Sequence, residues 1–155
     1  MIQMNIKQSV VIDLAAEDIF AYMSDLENQA DWSSVVIMVR NISPGALHVG
    51  TRVRSTIRFL GRWLDMTFEV VECEPSRSLT IKSIAGIAPC HFCYHLEPVE
   101  DGGTTVYQEA MIQLSGMLGL DEPVIARVVQ RQMEHDLLTL KDLLEASAAI
   151  SGNAG

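Results

Sequence analysis

From Asp121 to Ala149 the chain carries one unbroken amphipathic pattern, and this stretch limits the fold more than any other. Asp121 suits an N-cap, Glu122 sets a carboxylate at the positive end of the helix dipole, and Pro123 falls in the first turn, where a missing N–H removes no bond. Val129, Met133, Leu137, Leu140 and Leu144 recur at helical spacing, so at about 100° per residue they share one stripe. Ile125 and Leu143 widen it, while Arg127, Arg131, Glu134, Lys141, Asp142 and Glu145 cover the opposite face. At about 1.5 Å per residue this helix is roughly 40 Å long. A rod of that length with one apolar stripe requires an equally long apolar groove. Two polar residues sit at the margins of the stripe, Gln130 and Asp136. Both can reach solvent at the rim of the groove; alternatively Asp136 points into a space beneath the helix.

The upstream sequence predicts the groove. Gln3 to Leu14 reads as an opening strand, followed by two short helices, Ala16 to Ser24 and Asp25 to Trp32. Val35 to Asn41 is a second strand, and a third begins at Gly50. Leu60-Gly61 closes a hairpin in which Ile57 meets Leu64, Ser55 meets Met66 and Val53 meets Phe68, apolar face on apolar face. Arg52 then meets Glu69, and Arg58 meets Trp63, on the outer face. Three more strands follow: Leu79 to Ala85, Cys90 to Glu97, and Thr104 to Leu114. Their inward residues include Ile81 and Ser83, then Phe92, Tyr94 and Leu96, then Val106, Gln108, Ala110 and Ile112. Residues 115–120 link the last strand to the long helix. A curved antiparallel sheet of about seven strands, apolar on one face, can wrap such a helix. A sheet bent in this way leaves gaps beneath the helix, and such a gap is the expected ligand site.

The 155 residues fit one domain, 1–146, with a small, polar tail at 147–155 expected to be flexible. A net charge of −9 without a Lys/Arg cluster argues against nucleic acid and anionic membrane surfaces as partners. Nothing reads as a secretory signal or membrane span, and the three cysteines are an odd number, so a reduced cytoplasmic protein, monomer or homodimer, is expected.

Several local words, in this order and spacing, resemble one superfamily. They are Ala15-Ala16-Glu17-Asp18-Ile19-Phe20-Ala21-Tyr22-Met23-Ser24-Asp25 with Trp32, Glu74-Pro75-Ser76-Arg77-Ser78-Leu79, Leu96-Glu97-Pro98 with Gly102-Gly103-Thr104, and Leu140-Lys141-Asp142-Leu143-Leu144-Glu145. Together they resemble the START-like (SRPBCC, helix-grip) superfamily, in its polyketide cyclase/dehydrase-like branch, across roughly Ile6 to Ala146. The resemblance implies an α+β helix-grip fold, START/Bet v 1-like, with a cavity between sheet and C-terminal helix. It does not imply a particular reaction.

The candidate binding residues follow from the inward faces. Ser55, Ser83, Tyr94 and Gln108 offer uncharged hydrogen bonds to a ligand carbonyl or hydroxyl, or satisfy one another. Trp32, Met38, Phe59, Met66, Phe68, Phe92 and Met133 form an apolar wall, with Ile57, Ala110 and Leu137 beside them. Tyr94 next to Asp136 is the one candidate catalytic pair, able to enolise a ketone and promote ring closure or loss of water. Cys90-His91-Phe92-Cys93 spells C-x-x-C, but in a strand its cysteines face opposite sides and no second pair exists. His91, Cys93 and His95 share a strand face at about 6–7 Å intervals, too far apart for one ion. No metal and no cofactor is therefore expected. Three functions remain open: a carrier or sensor of a hydrophobic, partly oxygenated small molecule, a polyketide cyclase or dehydratase using the same cavity, or a protein-interaction module whose cavity is filled by side chains.

Overall fold

The computed structural model describes residues 2–114 and 121–154, and the expected linker at 115–120 lies outside them. Strand β1 (Ile2–Ile12) leads into helix α1 (Ala16–Ser24), a 3-10 turn (Leu26–Asn28) and the single-turn helix α2 (Gln29–Trp32). Strands β2 (Val36–Asn41), β3 (Arg52–Phe59), β4 (Arg62–Glu74), β5 (Ser78–Ala85), β6 (Cys90–Pro98) and β7 (Thr104–Leu114) follow, and helix α3 (Glu122–Ala154) ends the chain. The seven strands form one antiparallel sheet in the order β1-β7-β6-β5-β4-β3-β2. Consecutive strands are neighbours from β2 to β7, whereas β1 and β2 lie at opposite edges. The α1–α2 segment carries the chain between those edges, which explains why two short helices interrupt an otherwise simple meander. No helix among the described residues is long and apolar enough to cross a membrane.

The β3–β4 hairpin has the register that its hydrophobic pattern demands: Val53 opposite Phe68, Ser55 opposite Met66, Ile57 opposite Leu64 and Arg52 opposite Glu69. Both loop residues are left-handed, Leu60 at φ 50° and Gly61 at φ 78°, as the tight two-residue turns of twisted hairpins require. The alternation fails in β2. A bulge between Val36 and Met38 turns Val36 and Val39 inward and leaves Met38 46% exposed, so Met38 is not part of the apolar wall. On the outer face the cross-strand pairs fall as the register places them. Arg52 reaches Glu69, Arg54 reaches Asp65 and Arg58 stacks over Trp63, while Glu72 accepts from the hydroxyls of Ser78 and Thr80.

Helix α3 lies with Ile125, Val129, Met133, Asp136, Leu137, Leu140 and Leu144 buried against the sheet. Leu143 falls outside the stripe, partly exposed on its flank. The helix begins with the Asp121 carbonyl accepting from Val124 and Ile125, and it continues to Ala154, beyond the expected end at Ala149. Lys141 and Glu145, expected on the solvent side, instead fasten the helix to the end of β1. Lys141 Nζ donates to the Val11 carbonyl and lies 3.0 Å from Glu145, whose Oε2 accepts from the Asp13 N–H at 2.9 Å.

Truncation along α3 tests this orientation. Leu140→Ala removes a fully buried side chain and is expected to cost about 2–5 kcal/mol in urea unfolding. Leu138→Ala, two residues away and exposed, should stay within about 0.5 kcal/mol. Equal losses would place the helix the wrong way round.

Candidate functional site

The concave face of the sheet and the N-terminal half of α3 do not meet flush. They enclose a cavity of about 130 Å³, bounded on one side by Gln29, Trp32 and Ser33 of the α2 segment. That volume is close to the ~150 Å³ of an engineered apolar cavity that accepts benzene. It is well below the ~300–1,000 Å³ of pockets that enclose drug-sized ligands. One ring-sized group fits without rearrangement. Val35, Ile57, Leu64, Cys90 and Ile112 on the lining are only half-buried, so part of the cavity lies near the surface.

Strand alternation supplies most of the wall. Ser55, Ile57 and Phe59 come from β3, Met66 and Phe68 from β4, Phe92 and Tyr94 from β6, and Gln108 from β7, while Met133 and Asp136 project from α3. Phe68 and Phe92 are tilted against each other with ring centroids 6.2 Å apart. Between β5 and β6 the loop dips to place Ala88 on the lining. Gly86 makes this possible at φ 125°, where any Cβ would run into the Met66 sulfur.

Besides Met38, three expected residues lie off the cavity. Ser83 accepts from the Cys90 N–H at 2.9 Å, so its hydroxyl is committed to the β5–β6 turn. Ala110 is buried in register between Ile6 and Phe92, and its methyl is too short to reach the space. Leu137 is one step round the helix from Asp136 and packs into the solid core, 2% exposed.

The polar groups are few and sharply placed. Tyr94 is buried, and its hydroxyl accepts from Gln108 Nε2 at 3.0 Å; Gln108 Oε1 accepts in turn from Gln8. That relay fixes the Gln108 amide and leaves the phenolic hydrogen without an acceptor among the described residues. The Trp32 ring meets Tyr94 edge-on, with centroids 6.2 Å apart and planes at 85°. Burial holds the phenol above its ordinary pKa, and the negative charge of Asp136 adds to that rise, while the bond from Gln108 opposes it. Ser55 Oγ is buried on the same lining and has no hydrogen-bond partner among the described residues.

Asp136 points inward rather than to the rim, and is 6% exposed. Its Oδ1 accepts from the Ser34 N–H at 2.9 Å and its Oδ2 from the Ser33 hydroxyl at 3.4 Å. It thereby holds the corner between α2 and β2 against α3. Burial raises its pKa above the ordinary aspartate value, opposed by the hydrogen bonds from Ser34 and Ser33 and by the exposed His135. Gln130, the other marginal residue, stays at the surface and donates to Glu134 at 3.1 Å.

The cysteines are free and separate. Cys90 lines the cavity, its thiol pushed up to about 11 by burial, whereas Cys93 lies 3.3 Å from the Thr80 hydroxyl on the outer face. His95 sits 3.2 Å from Glu97. Reading the alternation alone misses Gln29, Ser33 and Gln132. Gln29 and Ser33 enter because α2 folds over the sheet's edge, and Gln132 because the lining extends one residue beyond the apolar stripe.

The model of the polyketide cyclase/dehydrase and lipid-transport family matches residues 3–145. Among solved structures, a protein of Thermus thermophilus shares 18% identity, covering 93% of this chain and 99% of its own, with a TM-score of 0.80. A START superfamily protein from Mycobacterium smegmatis shares 14%, covering 92% and 97%, at 0.77. An aromatase/cyclase from Streptomyces sp. R1128 shares 16%, covering 92% and 94%, at 0.74. No curated protein matches the chain. At such identities the structural likeness speaks for the fold alone.

The raised pKa of Asp136 has a consequence for stability. The folded state holds this proton more tightly than the unfolded state, so the residue's contribution falls as pH rises from the unfolded carboxylate value through the folded one. Asp136→Asn, which keeps an oxygen for the Ser34 N–H, should therefore gain on the wild type as pH rises above about 4, and the gain should vanish in acid. Urea unfolding of both proteins across that window checks this; a difference that shrinks with rising pH would contradict it.

Proposed function

Because the chain belongs to the polyketide cyclase/dehydrase and lipid-transport family, we propose that it binds a hydrophobic, partly oxygenated small molecule in the cavity between the sheet and α3. The observation that carries this reading is the unspent hydrogen bonding inside an otherwise apolar space. Ser55 Oγ has no partner among the described residues and the Tyr94 hydroxyl has a free hydrogen, although both are buried. Burying such groups unpaired costs free energy, and a guest oxygen would satisfy them. The aromatic and methionine wall supplies the apolar contact. The guest places a group about one ring in size inside; a larger guest needs the α2 corner to move. The free cysteines fit a reducing cytoplasm.

One observation favours a second reading, a cyclase or dehydratase. Asp136 and Tyr94 share the cavity, and the charge of the one acts on the other. A carboxylate with a raised pKa is a better base at neutral pH, and a phenol can donate to a carbonyl as an enol forms. The third possibility, a protein-interaction module with a filled interior, draws no support from a wall that leaves space open.

Native mass spectrometry of freshly purified protein tests these readings together. The binding reading expects a fraction of the protein to carry one extra small molecule that is lost on denaturation and recovered unchanged. A guest released lighter by one water after incubation would favour the enzyme. Protein that never carries an adduct, and takes none from an extract of its host, would contradict both.

A further inference from the structure

Among the described residues Asp136 is the one carboxylate on the cavity lining, and no Lys, Arg or His lines the cavity with it. The ion pairs among the described residues join Lys7 to Glu109, Arg52 to Glu69, Arg54 to Asp65, His95 to Glu97 and Lys141 to Glu145; none of them includes Asp136. Its oxygens accept only from the neutral donors of Ser33 and Ser34, the side chain of Ser34 included. A carboxylate has about four acceptor positions, so these donors leave part of its capacity unspent. A buried carboxylate without a cation is costly, and proteins seldom keep one unless something pairs with it. The surroundings suit a cation. Trp32 and Tyr94 form an edge-to-face pair on the same lining, and Asp136 is near enough to Tyr94 for its charge to raise the phenol's pKa. Aromatic faces attract ammonium groups, and a net charge of −9 concentrates cations around the molecule.

Building on the binding reading above, we propose that the guest carries a basic nitrogen: a small arylalkyl- or alkylammonium whose charge rests between the Asp136 carboxylate and the Trp32–Tyr94 wall. An N–H of the ammonium donates to the free lone pairs of Oδ1 or Oδ2, and the apolar body fills the space toward Phe68, Phe92 and Met133. The same arrangement disfavours carboxylates and phosphates, which would meet Asp136 with no cation among the described lining residues to offset the repulsion. The inference rests on the cavity being a guest site, and it narrows the class of guest to cations.

Three one-ring probes of matched size separate the two claims: benzylamine, benzyl alcohol and benzoate, titrated into the full chain at neutral pH by calorimetry or ligand-observed NMR. Benzylamine should bind about tenfold or more tighter than benzyl alcohol, the worth of a charge-assisted hydrogen bond, and benzoate should not bind. In Asp136→Asn the ratio of benzylamine to benzyl alcohol affinity should collapse toward one. Benzyl alcohol binding as well as benzylamine in the wild type, or a ratio unchanged in Asp136→Asn, would overturn the cation proposal and leave the cavity reading standing. Failure of all three probes to bind would overturn both. The wild-type comparison decides the matter even if the variant does not fold.

Discussion

The whole arrangement depends on hiding the apolar stripe of α3. A helix of 33 residues with one greasy side is not stable in water by itself, because most helical stability in proteins comes from burying such a face. The seven-stranded sheet supplies the partner surface, and the Lys141–Glu145 clamp on Val11 and Asp13 fixes where along the groove the helix rests. Near its C-terminal half the contact is tight, with Leu140 fully buried. Nearer the N-terminus Val129, Gln132, Met133 and Asp136 line the cavity. Space and stability are thus opposite ends of one helix.

Asp136 stands where those ends meet. It interrupts an otherwise apolar face and, among the described residues, accepts hydrogen bonds only from the α2–β2 corner. Burying a carboxylate without a cation is costly. Its hydrogen bonds from Ser33 and Ser34 tie the segment that bounds the cavity to the helix above it. Tyr94, positioned by Gln108 and Gln8, faces the same interior from the sheet.

Much of this is legible in the sequence, for reasons that differ by element. The β3–β4 register follows from charge and apolar pairing across a two-residue turn, because a slip of one would turn every side chain over. The inward faces of β4, β6 and β7 follow from strict alternation, and with them Met66, Phe68, Tyr94 and Gln108. Met38 escapes the pattern because a bulge adds a residue without any mark in the local composition. Ser83 and Leu137 point inward but reach no open space, since pattern gives the side a residue faces and not the distance across to the helix. The fate of Asp136 is undecidable from spacing, because a residue at the edge of a stripe turns either way. Ser33 and Ser34, which turn it inward, lie about a hundred positions earlier in the chain.

The central claim is that open apolar space lies between α3 and the sheet, and xenon tests it with no assumption about a natural guest, since dry apolar cavities of this size take up the gas. In protein carrying 13C-labelled methionine methyls, rising xenon pressure should shift the Met66 and Met133 signals along a saturating curve and leave that of exposed Met38 in place. Met66 and Met133 signals that move no more than Met38 would mean the interior is filled, and the account of a guest site would fall with it.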